Sequence, residues 1–177
     1  MTSRPEGEPA VAWRGKYIEV RTLGTWEFVG RTRGVTAAVI LAVDDGHVIL
    51  VEQYRVPLGR MCLELPAGLV GDDEAGEEVA AAAIRELEEE TGYRAEAMID
   101  LGRFHASPGM SAEGFNLLRA ERLTRVGEGG GVDHEEIIVH LVPIDEVPGF
   151  VAHKRAEGAA IDVKLLLLLG GGLLEGC

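Results

Sequence analysis

The stretch from Gly71 to Tyr93, GDDEAGEEVAAAAIRELEEETGY, constrains this chain more than any other. Its pattern predicts a long helix from Asp72 to Thr91, closed by Gly92 as a C-cap. Glu86, Glu88, Glu89 and Glu90 crowd the last turns, where the helix dipole is already negative. Glu86 and Glu90 stand at i,i+4, where like charges cost roughly 0.2–0.5 kcal/mol. Stability alone does not account for this choice, and a bound divalent cation would offset the repulsion. At roughly 100° per residue, Glu86, Glu89 and Glu90 share one arc, while Ala80, Ala83, Ile84 and Leu87 form a neighbouring apolar arc expected to face the core. The carboxylates therefore lie at the edge of a groove, and Glu88 points elsewhere, into solvent. Hard oxygen ligands without nearby Cys or His suit Mg²⁺ or Mn²⁺ rather than structural zinc. The plain alternative for the three consecutive glutamates taken alone is an acidic, solvent-facing helix.

With 177 residues the chain can bury one good core but not two ordinary domains. A hydrophobic share of 46% argues for a globular fold. The net charge of −13 argues against binding a nucleic-acid backbone or an anionic membrane. It also looks wrong for a phosphate ligand, unless metal ions and a few local arginines meet the phosphates. Only Cys62 and Cys177 are present, so no disulfide framework is expected, which fits a reducing cytoplasm. The N-terminus MTSRPEGEPA is polar and does not read as a signal peptide. The leucines at 165–169, 173 and 174 are too few to span a bilayer. They predict a buried C-terminal helix broken by Gly170, Gly171 and Gly172.

Along the chain, residues 16–33 carry the β-formers Tyr17, Ile18, Val20, Trp26, Phe28 and Val29, and predict two or three strands. The apolar run 35–43, the turn Asp44-Asp45-Gly46 and the run 47–54 predict a hairpin. In Met61 to Pro66, Leu63 and Leu65 share one face and Glu64 takes the other. Gly68 and Gly71 mark a loop before the long helix. Further strands are expected at 98–104, 114–120 and 136–143, and helices at 145–155 and 157–169. The fold class is α+β, with helices around a mixed sheet, preceded by a small N-terminal β segment. Residues 1–34 are assigned to that segment and 35–177 to the main domain.

The Gly71–Tyr93 stretch resembles the signature of the Nudix hydrolases through Gly71, Glu77, Arg85, Glu86, Leu87, Glu89, Glu90, Gly92 and Tyr93. The resemblance implies an α/β/α sandwich in which this loop–helix–loop holds metal against a diphosphate. It implies Mg²⁺, or Mn²⁺, held by Glu86 and Glu90, with Glu89 as ligand or close neighbour. Arg85 would pair with Glu77 and orient the glutamates. Upstream, Leu63-Glu64-Leu65-Pro66-Ala67-Gly68 places the backbone carbonyl of Ala67 as an implied metal ligand. Glu64 is a weaker candidate, facing metal or phosphate, with a solvated strand residue as its alternative.

Three further segments resemble the ADP-ribose pyrophosphatase branch. Ser107-Pro108-Gly109-Met110-Ser111-Ala112-Glu113 matches its substrate loop, although Met110 replaces the usual Phe and Ala112 the usual Asp. Taken alone this is a surface turn; with the resemblance, Met110 becomes a candidate for the substrate's terminal ribose, and Glu113 for the ribose or a further metal. Gln53-Tyr54-Arg55 resembles a QxR sequence, making Arg55 the candidate for the diphosphate. Trp26, Glu27 and Phe28 resemble a segment that helps form an adenine-stacking wall across a swapped homodimer, and core or dimer packing is an equal reading of Trp26 and Phe28. Arg31 and Arg33 would add positive charge there.

The glycine-rich run 127–136 reads as a mobile loop that carries a catalytic base. Glu135 resembles the branch's loop base and Glu136 is its alternative; His134 reads as solvated. The expected activity is metal-dependent hydrolysis of ADP-ribose to AMP and ribose 5-phosphate by a cytoplasmic homodimer. The alternatives are another nucleotide sugar, such as GDP-mannose, and a non-catalytic nucleotide sensor on the same fold.

Overall fold

The computed structural model describes residues 5–32, 35–70, 78–132 and 136–174. Three short strands come first: β1 (Ala10–Arg14), β2 (Ile18–Leu23) and β3 (Trp26–Arg31). They form an antiparallel sheet in that order, with a bulge in β1 between Val11 and Trp13. β1 lies ahead of the region in which strands were expected. It is exposed along its whole length, so burial leaves no alternation in its sequence and pairing with β2 defines it.

The main body begins with β4 (Thr36–Leu41), β5 (Val43–Asp44) and β6 (His47–Arg55). Asp45 and Gly46 both take positive φ in a two-residue turn, as the hairpin reading requires. There follow β7 (Arg60–Glu64), β8 (Ala67–Val70), α1 (Val79–Thr91), β9 (Tyr93–Phe104), β10 (Phe115–Arg125), β11 (Ile138–Pro143), α2 (Val147–Ala156), β12 (Ala160–Ile161) and α3 (Leu166–Leu174). One sheet has the order β8-β4-β10-β9 and the other β11-β6-β7-β12, with β5 on β6. β10 runs parallel to β4 and β12 parallel to β7, so both sheets are mixed.

Successive strand residues point to opposite faces, so β4 feeds two cores. Ala38 and Ile40 join Ala82, Ala83 and Leu87 of α1 in one. Val39 joins Val147 and Val151 of α2 and Leu165 in the other. The result is the expected sandwich, with helices on both sides of a β layer.

Several elements depart from the sequence reading. Glu78 has extended backbone (φ −68°, ψ 135°), so α1 starts at Val79 instead of running continuously from Asp72. Its buried arc is Ala82, Ala83, Leu87, Glu90 and Thr91, and Ala80 is exposed; the arc is rotated so that Glu90 enters the interior. The expected loop at Gly68 is instead strand β8, paired with β4. β9 begins at Tyr93, five residues before the expected start: antiparallel pairing with β10 carries the strand through Ala95 and Ala97, which are weak β-formers. The expected helix 157–169 splits into β12, a single 3₁₀ turn (Val163–Leu165) and α3. α3 runs through Gly170–172 rather than breaking there; glycine costs about 1 kcal/mol in a helix but does not forbid it. Leu165 is buried, whereas Leu166 and Leu167 are exposed. No helix among the described residues is long and apolar enough to cross a membrane.

One buried polar cluster ties β6 to α2. Glu52 accepts hydrogen bonds from His140 Nε2 (2.8 Å) and Lys154 Nζ (2.9 Å), and His140 and Lys154 both pack on Phe150. Burial pushes the Glu52 carboxyl up, but the Lys154 and His140 hydrogen bonds outweigh it and hold it below its ordinary value. A lowered folded-state pKa stabilises above the unfolded value, and that gain is lost as pH falls through the folded one. Glu52→Gln should therefore cost about 1.5–3 kcal/mol at pH 7. Urea titrations should show the gap from wild type closing as pH drops below about 4.

Candidate functional site

The C-terminal half of α1 lies against β8. Glu90, only 6% exposed, accepts a hydrogen bond from the Ala67 backbone N–H at 3.0 Å through Oε2. Glu86 lies directly over Gly68, where an added Cβ would collide with its carboxyl and γ carbons. Arg85 Nη1 donates to Glu86 at 3.1 Å and to Glu89 at 3.3 Å, holding the two carboxylates together. Glu77, the expected partner of Arg85, lies outside the described residues, as do Gly71 and Asp72. Glu88 is not simply solvated: Arg94 grips it through two hydrogen bonds of 2.7 and 2.8 Å and lowers its pKa. The acid crowding is thus offset in part by Arg85, Arg94 and the Ala67 amide.

The helix end is capped from outside. Gly92 takes φ +73° and its N–H reaches the Glu88 carbonyl. Gly130 N–H donates to the Glu90 carbonyl (2.9 Å) and Gly131 N–H to the Glu89 carbonyl (3.0 Å). These bonds satisfy carbonyls that a helix end leaves orphaned. Gly129, at φ +72°, approaches so closely that a Cβ would strike the backbone of Glu90, Thr91 and Gly92. The first part of the run expected to be a mobile loop is therefore docked, because only glycine permits this approach. Glu136 is exposed beside buried Ile137; Glu135 and His134 lie outside the described residues.

A cleft of about 540 Å³ opens beside this helix end, with Glu64, Ala67 and Gly68 in its wall. Glu64 is buried rather than solvated, and Arg55 clamps it through two hydrogen bonds of 2.5 and 2.8 Å. The guanidinium pKa is raised by Glu64, and the charge of Glu90 adds to the effect. Cys62 also lines the cleft; burial first, then Glu64, push its thiol up to about 12. Two more ion pairs face the same space: Arg31 with Glu113 (2.6 Å) and Lys164 with Asp162 (2.6 Å).

The N-terminal sheet reaches the cleft through β3. Val29 N–H donates to the Met110 carbonyl (2.9 Å), and Ala112 N–H to the Val29 carbonyl (2.8 Å). The 107–113 loop is thereby pinned, with Glu113 on the cleft and Met110 64% exposed. Trp26 and Glu27 are exposed and Phe28 half-buried, and none of the three lines the cleft of its own chain. Arg33 lies outside the described residues. The sequence reading did not single out Asp162 and Lys164, which line the cleft. Their only local signal is an Asp-x-Lys after a two-residue strand; pairing of β12 with β7, a hundred residues away in sequence, brings them in.

Among the described residues no three His, Cys, Asp or Glu side chains converge into a closed cage. Glu86 and Glu90 do meet the Ala67–Gly68 backbone, and Gly68 leaves the space that a Cβ would fill. Two carboxylates beside an open strand backbone suit Mg²⁺, which takes oxygen ligands and keeps several of its waters.

The NUDIX domain model matches residues 32–166. Among curated relatives, a methanol dehydrogenase activator from Bacillus methanolicus is 38% identical over 67% of this chain and 63% of its own length. An ADP-ribose pyrophosphatase from Bacillus subtilis (strain 168) is 41% identical over 57% of this chain and 53% of its own. A GDP-mannose pyrophosphatase from Cronobacter sakazakii is 38% identical over 77% and 72%. The chain spans about half to two thirds of the length of the first two. Among solved structures, an ADP compounds hydrolase superposes with a TM-score of 0.68, covering 97% of both chains at 22% identity, which speaks for the fold.

Two glycine substitutions should separate packing from site geometry. Gly129→Ala should cost at least about 2 kcal/mol in urea unfolding, from positive φ plus a backbone collision. Gly46→Ala, equally left-handed but in open space, should cost only about 1 kcal/mol. Gly68→Ala should change stability little, since the flexible Glu86 side chain can move aside. It should weaken Mn²⁺ binding, followed by electron paramagnetic resonance, about 10- to 100-fold.

Proposed function

The chain belongs to the NUDIX domain family, and we propose that it is a metal-dependent pyrophosphohydrolase that cleaves ADP-ribose to AMP and ribose 5-phosphate. The observation that carries this reading is the meeting of Glu86 and Glu90 with the Ala67–Gly68 strand, in the wall of a cleft that also holds Arg55. Glu86, Glu90 and the Ala67 carbonyl would hold Mg²⁺ or Mn²⁺, with Glu89 beside them. The bound ion would supply positive charge to the phosphate oxygens and lower the pKa of a water. The negative charge of the whole chain is then no obstacle, because the phosphates meet a local cation.

The chain's own residues do the positioning, which dominates phosphoryl chemistry. Arg85 aligns Glu86 and Glu89. Arg55 offers a planar fork that suits diphosphate oxygens and can exchange Glu64 for them. Glu135, with Glu136 as the alternative, takes the proton of the attacking water. Met110 and Glu113 border the sugar end of the substrate.

Residues 1–34 act as a dimerisation segment ahead of the hydrolase domain 35–177. The exposure of Trp26, together with half-buried Phe28 outside the cleft of its own chain, supports a role across a homodimer. There Trp26, Glu27 and Phe28 would wall the adenine of the partner's substrate. Cysteine usage and charge favour a cytoplasmic protein without nucleic-acid or membrane partners. GDP-mannose is the second reading, favoured by the Cronobacter relative, which matches a larger share of this chain than the Bacillus subtilis one.

A substrate panel with Mg²⁺ and product identification tests the reading. ADP-ribose should exceed GDP-mannose in kcat/KM, and Glu90→Gln should lower turnover by at least about 100-fold, as for loss of a principal electrostatic group. Preferential GDP-mannose turnover would shift the substrate to the second reading. No hydrolysis of any nucleotide sugar, or indifference to Glu90→Gln, would leave a non-catalytic sensor.

A further inference from the structure

The cleft is lined by cations already matched with acids: Arg31 with Glu113, Arg55 with Glu64, and Lys164 with Asp162. The third pair differs in chemistry from the second. Arg55 presents a fork fitted to phosphate. Lys164 presents an ammonium with three donors, one of them spent on Asp162 Oδ2. Asp162 Oδ1 accepts from the Lys164 backbone N–H at 2.7 Å, which fixes the carboxylate on its turn. A carboxylate has about four acceptor sites, so two remain. A phosphate placed here would be repelled by Asp162, whereas adjacent hydroxyls need a donor and an acceptor side by side.

Placement agrees with this chemistry. Asp162 N–H donates to the Leu63 carbonyl at 3.0 Å, immediately before Glu64 in β7. The couple is therefore the next station along the cleft from the Glu64–Arg55 clamp. Phe115 lines the same space, with Lys164 Nζ 5.7 Å from its ring centroid and Phe104 stacked behind it at 6.0 Å. An apolar floor with a few convergent polar groups is how small-ligand sites fix orientation. The two charged side chains are mostly withdrawn from solvent, 15% exposed for Lys164 and 20% for Asp162.

We infer that Asp162 and Lys164 form a sugar-recognition couple that holds vicinal hydroxyls of the group attached to the diphosphate, with Phe115 as its apolar floor. The inference rests on the cleft being a nucleoside diphosphate sugar site. It makes the 160–165 segment a determinant of which sugar is accepted.

Calorimetric titration of the full chain with AMP, ribose 5-phosphate and 2-deoxyribose 5-phosphate tests it. Wild type should prefer ribose 5-phosphate to its 2-deoxy analogue by about 10-fold, because the lost hydroxyl leaves site groups unpaired. Lys164→Met and Asp162→Asn should each erase that preference while leaving AMP affinity within about twofold. Asn retains the cap on Lys164 N–H, so Asp162→Asn carries the test if Lys164→Met does not fold. Binding of AMP with no preference between the sugars in wild type would overturn the inference and leave the nucleotide reading intact. A preference surviving in both variants, or an equal loss of AMP binding, would also overturn it. Wild type that binds none of the three would overturn both readings.

Discussion

The end of α1 packs its carboxylates against β8, with Glu90 on the Ala67 N–H and Glu86 over Gly68. A helix that ends in four glutamates is poorly placed in a protein interior, yet Glu90 is buried there. Three features make this tolerable. The Ala67 N–H meets the Glu90 carboxylate, Gly68 leaves room for Glu86, and the amides of Gly130 and Gly131 cover the last carbonyls. Each removes a cost that docking the acidic helix end on β8 would otherwise carry: an unpaired buried charge, a steric clash, or an orphaned carbonyl. The packing that solves the stability problem also puts two carboxylates beside a strand backbone at the edge of a cleft. Fold and site are therefore not separable at this point.

The cleft follows a second rule, that of charge held in pairs. Arg31, Arg55 and Lys164 would repel one another if brought together bare. Each instead has an acid within hydrogen-bonding range, and the acids come from different elements. Such a lining is close to neutral at rest and can exchange partners when an anion and a cation arrive together. This reconciles a strongly acidic chain with the phosphate ligand proposed for it.

Much of the fold was legible because its signals are local. The Asp45-Gly46 turn, the C-cap at Gly92 and the apolar runs of β4 and β6 each announce themselves within a few residues. The misses share a cause. β1 and β12 exist because a partner strand supplies their hydrogen bonds, and β8 because β4 does. The rotation of α1 that exposes Ala80 and buries Glu90 is set by β8, which the sequence presents only as a glycine-marked loop. The glycines at 127–131 looked mobile because glycine is permissive, and here that permissiveness serves close docking.

The spacing of the helical acids, and with it the family resemblance, is readable from residue order alone. Those properties are carried by one helix, whose geometry is known from residue spacing alone. Folding alone pairs Arg55 with Glu64 and Arg31 with Glu113, and turns Lys164 and Asp162 to the same cleft. Arg31 and Glu113 meet across 82 positions, and pairing of β12 with β7 carries the Asp162–Lys164 couple to the cleft. Their energies depend on burial and on distances of a few ångströms, quantities that exist only once the chain has folded.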